Sequence, residues 1–484
     1  MVIRPAWCVA GSVIAGVIGG CSTPFDAPRD LPRTSVRTIP EDSDPTARSV
    51  FRKTGEDDAS PEVVLNADSG VDEYVRYALY HSPEVEAAYQ RWRAAAERIP
   101  QVGALPDPRL VYAHALREVE TRTGPQEARV GVEQTLPWPG KLRDREDAAS
   151  RGARRAWRTF EAARLRVSER VIAGLHELAY LDRAIEIARE NVEILRSFEQ
   201  VLRARYRVGS GSHPELVRAQ VELGQVEDRL RRLEAMRPVF VAALNAALNR
   251  PSDAEVPSPV RVEGHVASVG SEELLGMARA RNPELLALDE EVERQRRLGA
   301  AAEKDGLPDL TLGLDYVFTG DAVDPTTPGS GDDPVLIRFG INLPVWREKY
   351  DAGVREAIAR RLAAAGERLD RANQIEADIE RAWFEHTDAD RRVRLYERTL
   401  IPKAEESLRA SLAGFRAGEL GFLDLLDTER TLLEFAVAAE RARADRGKAL
   451  ARLGTLAGGA IPTHPADDTN RASPETPTQS EVDR

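Results

Sequence analysis

The residues best placed to interact with an ion lie in the stretch FRAGELGFLDLLDTER, residues 415–430. Glu419, Asp424 and Asp427 closely follow Gly418, a residue that the pattern predicts to end one helix before the next begins. Asp424 and Asp427 are three residues apart and therefore face the same side of the second helix. Neighbouring carboxylates concentrate cations and repel anions. The alternative is a solvated acidic face, which the helix dipole favours near an N-terminus.

Catalytic chemistry is not indicated by the remaining residues. The two Cys, seven His and three Met are scattered, so the sequence predicts neither a metal site nor a catalytic thiol. We find no Ser-His-Asp set and no phosphate-binding loop, and we interpret GGCS and GSGS as signal and turn segments. We therefore predict that the protein is not an enzyme and needs no cofactor.

Charge and composition exclude a nucleic-acid-binding groove and favour long helices. The chain of 484 residues has 68 basic and 80 acidic side chains, a net charge of −12, whereas a nucleic-acid site requires a basic patch. Aromatic residues make up only 6%, and Ala, Leu, Arg and Glu dominate the middle of the chain.

The first twenty residues resemble a bacterial lipoprotein signal peptide. Arg4 precedes an apolar stretch, residues 6–18, that is too short to span a bilayer as a mature helix. Small residues then lead to Cys21, which we predict becomes the N-terminus and carries fatty acyl chains such as palmitate. Ser22 in the next position favours delivery to the outer membrane. An ordinary cleaved signal peptide remains the alternative.

The middle of the chain contains the same pattern twice. The corresponding segments are HSPEVEAAY (81–89) with RNPELLALD (281–289), VGVEQTLPWPGK (130–141) with FGINLPVWREK (339–349), and YRVGSGSHPEL (206–216) with FRAGELGFLDL (415–425). The period of roughly two hundred residues is too long for a solenoid repeat. The sequence therefore predicts a duplicated domain whose halves fold alike.

We predict the following order of segments. They are a signal peptide (1–20), an N-terminal linker (21–70), a first repeat (71–250), an inter-repeat linker (251–270), a second repeat (271–457) and a disordered tail (458–484). In the first repeat, strands are expected at about 109–117 and 128–136 and long helices at about 139–207 and 213–249. In the second, strands are expected at about 309–319 and 335–343 and long helices at about 349–417 and 421–456.

Apolar residues of the long helices alternate spacings of three and four, a pattern typical of coiled coils. In the first repeat they are Leu178, Leu181, Ile185, Ala188, Val192 and Leu195, and in the second Ile358, Leu362, Ala365, Leu369 and Ala372. The alternative is an ordinary amphipathic bundle. Nearly seventy helical residues would extend on the order of 100 Å, however, which exceeds a globular domain. Pro402 is expected to kink the second long helix.

The strands of the second repeat have one apolar and one mostly polar face. The apolar face is predicted to comprise Leu310, Leu312, Leu314, Tyr316, Phe318, Ile337, Phe339 and Ile341. Such strands are typical of a membrane barrel, with the apolar face toward lipid, although a buried sandwich strand has a similar pattern. Trp138 and Trp346 follow their strands and would lie either at the lipid–water boundary or against the strand-to-helix turn. Four strands are too few to close a barrel, so an oligomer is expected.

Residues from about 70 to 457 resemble the TolC-like outer-membrane efflux proteins. The resemblance rests on the tandem duplication, on SPEVEAA and NPELLAL, on LPDP and LPDL before a strand, and on the Tyr/Phe-x-x-Gly pattern before each helical turn. It implies a homotrimer in which four strands per chain form a twelve-stranded membrane barrel, continued by a long α-helical coiled-coil tunnel. QTLPWPGKLR (134–143) is similar to the subgroup that serves heavy-metal efflux pumps.

The resemblance also implies a role, partners and a location. The role is that of a passive exit duct in the outer membrane of a Gram-negative bacterium, with the tunnel in the periplasm. An inner-membrane pump, of the resistance-nodulation-division type, would deliver metal cations or small toxic molecules through a periplasmic adaptor. A periplasmic coiled-coil adaptor or scaffold lipoprotein without a pore is the alternative.

In family terms, the two helix-to-helix turns form a periplasmic gate. The turn residues would be Tyr206, Gly209, Phe415 and Gly418, and threefold symmetry would arrange Asp424, Asp427 and Glu419 as cation-selective rings.

Overall fold

The computed structural model of the protein describes residues 65–66, 69–257, 260, 262–324 and 326–466. The predicted signal peptide, with Cys21, lies outside them, as do most of the predicted N-terminal linker and the tail beyond residue 466. The chain divides into two compact units. One contains Arg93–Arg154 and Glu291–Leu362, and the other contains Arg155–Glu290 together with the segments that end at Trp92 and begin at Ala363.

The first repeat has a short helix pair, a strand hairpin and a long helix pair. Its elements are α1 (Val71–His81), α2 (Pro83–Gly103), β1 (Arg109–Thr121), β2 (Gly124–Leu136), α3 (Lys141–Arg207) and α4 (His213–Leu248). The strands are longer than predicted: β1 continues past residue 117, and β2 begins before residue 128. They extend because the pairing reaches the connecting turn, where Thr121 lies opposite Gly124.

The second repeat follows the same order, with the addition of two short strands that flank it in the chain, one at each end. Its elements are β3 (His265–Ala267), α5 (Ser271–Arg281), α6 (Pro283–Asp305), β4 (Leu310–Thr319), β5 (Val335–Ile341), α7 (Arg347–Leu395), α8 (Ile401–Ala417), α9 (Phe422–Ala457) and β6 (Thr463–Pro465). Strand β5 ends at Ile341, before the predicted residue 343 and three residues before Pro344, which has no N–H to donate to a strand ladder. The prediction of disorder from residue 458 was wrong for residues 463–465, which form β6. This strand pairs antiparallel with β3, so the backbone groups of each strand bond to those of the other.

The sheet of the first unit has the order β1-β2-β4-β5, and each neighbouring pair is antiparallel. The hairpins of the two repeats therefore join through β2 and β4, where Val132 lies opposite Leu314. Strands β1 and β5 form the edges, and each is paired on one side only. Unpaired edges carry free backbone donors and acceptors that can bond to another strand.

The two predicted heptad stripes differ in burial. In the first repeat, all six stripe residues of α3, from Leu178 to Leu195, are buried within the chain. In the second repeat, Ile358, Leu362 and Leu369 of α7 remain exposed, and Leu362 retains 62% of its accessible surface. Coiled-coil packing within the chain therefore covers only the first stripe. Among the described residues, no helix has a stretch long and apolar enough to cross a bilayer.

Helices α7 and α8 are joined by a π turn, Tyr396–Leu400, just before Pro402. Proline has no N–H, and its ring clashes with the carbonyl four residues earlier, so the regular helical bonding cannot continue unchanged. The wider turn absorbs this disruption, as π bulges do. The predicted irregularity is therefore located N-terminal to Pro402.

Equivalent residues begin α2 and α6 in the two repeats. The side-chain oxygens of Ser82 and Asn282 accept hydrogen bonds from backbone N–H groups of the first helical turn. Glu84 and Glu284 each lie close to the same cation, the Arg166 guanidinium of α3, at 3.4 and 3.3 Å. One arginine thus connects the two halves of the duplication.

Candidate functional site

Helix α3 ends in a turn built around Gly209. Gly209 has a φ of +75°, and the N–H groups of Gly209 and Ser210 donate to the carbonyls of Tyr206 and Arg205 at 3.1 and 2.9 Å. This is a Schellman turn, in which a left-handed residue lets the last carbonyls of a helix find partners. The Tyr206 ring is exposed and lies 5.3 Å from the ring of His213.

Helix α8 ends in a turn of the same construction. Gly418 has a φ of +78°, its N–H donates to Phe415 at 3.2 Å, and the Glu419 N–H donates to Gly414 at 2.9 Å. The Leu420 side chain folds back onto Gly414. The contact is so close that a Cβ atom at this glycine would lie 2.8 Å from Leu420 Cδ1. The two turns therefore share one geometry, although their sequences differ.

The three predicted gate acids lie at the N-terminal end of α9 or just before it. Glu419, Asp424 and Asp427 are all exposed. Asp424 also has a structural role, since its carboxylate accepts a hydrogen bond of 3.3 Å from the N–H of Gly421 and so caps the helix. Within the described part of the chain, no group of three or more His, Cys, Asp or Glu residues is arranged to hold a metal ion.

An aromatic cluster lies beneath the second turn. Phe415 is buried, with its ring centroid 6.2 Å from that of Phe422, and Phe422 is at the same distance from Phe198 of α3. The Arg205 guanidinium lies over the Phe415 ring, 4.5 Å from its centroid. Phe415 was predicted as a turn residue, and the structure places its side chain in the core that joins the two helical hairpins.

Two of the polar contacts between α9 and the helices of the first repeat lie close to the second turn. Asn191 Nδ2 of α3 donates to Glu429 Oε1 at 3.0 Å in the buried core, and Arg430 Nη2 donates to Glu222 Oε2 of α4 at 2.6 Å. Burial raises the pKa of Glu429, although the hydrogen bond from Asn191 opposes this shift. The sequence patterns did not predict this pair. The available signal was an acid three residues after the buried Leu426, on the apolar stripe of the helix.

One face of the sheet carries two continuous apolar rows. Pairing aligns Leu110, Val132, Leu314 and Ile337 in one row across all four strands, and Tyr112, Val130, Tyr316 and Val335 in another. Of the predicted lipid-facing residues, Leu312 is half-buried and the others are exposed, namely Leu310, Leu314, Tyr316, Phe318, Ile337, Phe339 and Ile341. No other element of the described part of the chain covers this face, and its contact with lipid stays a prediction.

The opposite face of the sheet carries ion pairs that the sequence pattern does not predict. Asp315 of β4 is only 1% exposed and contacts Arg129 of β2 at 2.5 Å and Arg338 of β5 at 2.7 Å. Glu133 of β2 lies 3.6 Å from both Arg338 and Arg109. The carboxylates lie beneath the more exposed guanidinium groups, so this face presents positive charge.

Two glycines leave room for this network. A Cβ atom at Gly131 would lie 2.0 Å from Asp315 Oδ1, and one at Gly313 would lie 3.3 Å from Arg338 Nε. Each glycine is the direct cross-strand neighbour of the charged residue that it accommodates.

The two tryptophans lie where strands give way to helices. The Trp138 backbone N–H donates to the Asp309 carboxylate at 2.8 Å, and Lys141 contacts the same oxygen at 2.8 Å. Both indole side chains are exposed, Trp346 to 76% of its surface. Extensive packing of Trp346 against the turn is therefore not observed in the chain. The position of these side chains at a lipid–water boundary stays a prediction.

Comparison with known sequences identifies a family model and relatives that this chain matches. The family model described as "Outer membrane efflux protein" matches residues 75–250 and 274–459. The chain is 23% identical over 339 residues to the cobalt-zinc-cadmium resistance protein CzcC of Cupriavidus metallidurans, covering 69% of this chain and 77% of CzcC. It is 25% identical over 306 residues to the outer membrane protein TolC of Vibrio cholerae, covering 62% of this chain and 69% of TolC.

Solved structures share the fold at lower identity. The outer membrane protein VceC of Vibrio cholerae superposes with a TM-score of 0.67 at 21% identity, covering 81% of this chain and 97% of VceC. CusC gives a TM-score of 0.67 at 14% identity, covering 82% of this chain and 96% of CusC. The outer membrane channel MtrE of Neisseria gonorrhoeae gives 0.64 at 19% identity, covering 80% of this chain and 89% of MtrE.

The duplication, the exposed apolar face of the sheet and the paired helical turns are thus the features of a known fold. The predicted resemblance to TolC-like proteins and the predicted location in the outer membrane are confirmed. The chain belongs to the outer membrane efflux protein family.

Proposed function

We propose that three copies of this chain assemble into a passive exit duct of a tripartite efflux system. The twelve strands of the trimer would close a barrel in the outer membrane, and the helices would continue it as a tunnel into the periplasm. An inner-membrane pump would deliver substrates through a periplasmic adaptor. The chain itself would carry out no chemical reaction.

The observation that carries this proposal is the two-faced, open-edged sheet. Its two apolar rows are largely exposed, its opposite face holds a buried Asp315 among arginines, and neither edge strand has a second partner strand among the described residues. Four strands cannot close on themselves, since the smallest usual barrel has about eight. Pairing β5 of one copy with β1 of the next would satisfy both edges, and three copies supply enough strands for closure.

The exposed stripe of α7 supports the same assembly. Ile358, Leu362 and Leu369 keep the spacing of a coiled-coil seam, but no helix among the described residues covers them. A neighbouring copy is the natural partner, because a symmetric oligomer repeats one interface between identical subunits.

The turn acids would control passage at the tunnel end. Glu419, Asp424 and Asp427 are exposed, and threefold repetition of Asp424 and Asp427 would give stacked carboxylate rings that attract cations. Gly209 and Gly418 would fix the turns that carry the ring. We propose that this end is closed at rest and opens when the adaptor and the pump dock, through movement at helix interfaces.

Metal cations are the substrates that we favour. The support is the relative CzcC, a cobalt-zinc-cadmium resistance protein, together with the segment QTLPWPGKLR noted above. Small toxic molecules are the alternative cargo. Loss of the gene should reduce growth in cobalt, zinc or cadmium salts if metals are exported, whereas selective sensitivity to dyes or detergents would indicate the alternative.

The oligomeric state and the conductance test the duct directly. Purified full-length protein should be a trimer in detergent by light scattering and should form discrete channels in planar bilayers. A water-soluble monomer without channel activity would overturn the proposal and would favour a scaffold lipoprotein without a pore. Mass spectrometry of the mature N-terminus would test whether Cys21 carries acyl chains.

A further inference from the structure

Asn191 and Glu429 form a polar pair inside an otherwise apolar interface. Each retains only 4% of its accessible surface, and Asn191 Nδ2 donates to Glu429 Oε1 at 3.0 Å. Their neighbours on the two helices, Val192 of α3 and Leu426 of α9 among them, belong to one hydrophobic cluster. A polar pair in such a seam fixes the register of two helices at some expense of stability.

A single proton would allow the two remaining side-chain oxygens of this pair to form a hydrogen bond with each other. Asn191 Oδ1 and Glu429 Oε2 are both buried, and neither has a hydrogen-bond partner among the described residues. With an ionised carboxylate, both atoms would be acceptors without a donor, which is unfavourable in a buried site. A single proton on Oε2 would turn that atom into a donor toward Oδ1 and satisfy both.

No neighbouring cation compensates a charge on Glu429. In the described structure no ion pair joins Glu429 to a cation, and four arginines of the surrounding helices have other partners: Arg189 with Glu234, Arg196 with Glu227, Arg430 with Glu222 and Arg409 with Glu405. Burial without a charge partner raises the pKa of Glu429. The acid therefore retains its proton at a higher pH than an exposed glutamate does.

We propose that Glu429 is protonated in the folded protein and forms a doubly hydrogen-bonded acid–amide pair with Asn191, which fastens α9 to α3 and separates when the carboxyl ionises. The pair lies within two helical turns of Asp424 and Asp427, on the same helix. Ionisation would thus loosen the helix that carries the acidic residues, whether or not these residues act as a gate.

The direction of the pH effect follows from linkage. The carboxyl binds its proton more tightly in the folded state, so this contribution to stability is fully present below the unfolded pKa and is lost as pH rises through the folded pKa. The interface between α3 and α9 should therefore be most stable at low pH and should lose stability as pH rises through the pKa of the folded acid.

Hydrogen exchange of the full-length protein in detergent tests the pair without requiring channel activity. After correction for the intrinsic pH dependence of exchange, the backbone amides of residues 422–433 should lose roughly tenfold in protection per unit of pH above the pKa of the buried acid. Glu429→Gln should abolish this dependence and stay protected throughout, because its amide can form both hydrogen bonds and cannot ionise. Glu234→Gln, which removes an exposed acid paired with Arg189, is the matched control and should behave like the wild type.

Infrared spectroscopy gives a second, independent readout. The wild type should show a protonated-carboxyl band that disappears as pH rises and that Glu429→Gln lacks. The proposal is overturned if that band does not persist above the pKa of an exposed glutamate, if Glu429→Gln keeps the wild-type pH dependence, or if Glu429→Gln is unprotected at every pH. None of these outcomes depends on trimer formation, so a failed duct and a failed acid–amide pair can be distinguished.

Discussion

Gly131 of β2 faces Asp315 of β4 so closely that a Cβ atom at position 131 would lie 2.0 Å from the Asp315 carboxylate. That carboxylate receives Arg129 from one neighbouring strand and Arg338 from the other. The absence of a side chain at Gly131 thus leaves the space in which ion pairs join three neighbouring strands.

Gly131→Ala should therefore destabilise the sheet. The new methyl group would displace a carboxylate that two arginines hold, with an overpacking cost of about 1–3 kcal/mol. The midpoint of thermal unfolding, followed by circular dichroism of the strands, should fall. Gly340→Ala is the matched control, because its Cβ atom would meet Thr311 at an ordinary 3.8 Å. Equal stability of the two variants would contradict the argument.

Asp424→Ala and Asp427→Ala should both reduce the preference for cations but differ in stability. Removal of either carboxylate weakens the expected ring, which reversal potentials in a potassium chloride gradient would report. Only Asp424→Ala also removes the contact with the Gly421 N–H, so it alone should lower helix stability, by about 0.5 kcal/mol. Unchanged ion selectivity in the double variant would refute a role in permeation.

Gly418→Ala should strain the turn between α8 and α9. A side chain at a φ of +78° costs about 1–2 kcal/mol, so amide protection in the last turn of α8 should decrease. Gly421→Ala is the comparison, since this glycine has a φ of −76° and its Cβ atom would meet Asp424 at 3.6 Å. Similar protection in the two variants would show that the left-handed conformation is not what requires glycine.

His386 should make the contact between α7, β3 and α9 sensitive to acid. Its Nε2 atom accepts the Ala267 N–H at 3.1 Å and Nδ1 lies 3.2 Å from the Arg446 carbonyl, so the neutral ring satisfies both groups. Burial lowers the pKa of His386, and burial and nearby cations lower that of His176 to about 4. Because the folded pKa is the lower one, stability is present above the unfolded pKa and is lost as pH falls through the folded pKa.

His386→Leu separates this group from other acid-sensitive sites. The variant leaves the buried Ala267 N–H without its acceptor and should cost about 1–3 kcal/mol at neutral pH. It should also lose less thermal stability than the wild type when the pH is lowered. An identical acid response in both proteins would assign the effect to other groups, His176 among them.

The sequence predicts most of the architecture because local patterns determine it. Alternation from Leu310 to Phe318 identifies a strand, and glycines at positions 209 and 418 mark helix ends, since each signal depends on neighbouring residues alone. The duplication then assigns the same elements to both halves.

Contacts between distant segments were not predictable in the same way. The pairing of Asp315 with Arg129 depends on the register of β4 against β2, and that of Asn191 with Glu429 on the packing of α3 against α9. No spacing within one segment encodes either contact. Phe415 was assigned to the turn because of its position near Gly418. Its burial, however, depends on Phe422 of α9 and on the residues of α3 and α4 in the same hydrophobic cluster.

The contacts of Arg166 bear on whether the two halves fold independently. Glu84 and Glu284 occupy equivalent positions, and Arg166 of the first half lies close to both, in addition to Arg170 at Glu84 and Arg371 at Glu284. The two halves also share one hydrophobic cluster, in which Leu195 of α3 and Leu425 of α9 both lie. Cutting the chain between the repeats should consequently yield two fragments that recover their native structure only when they are produced together.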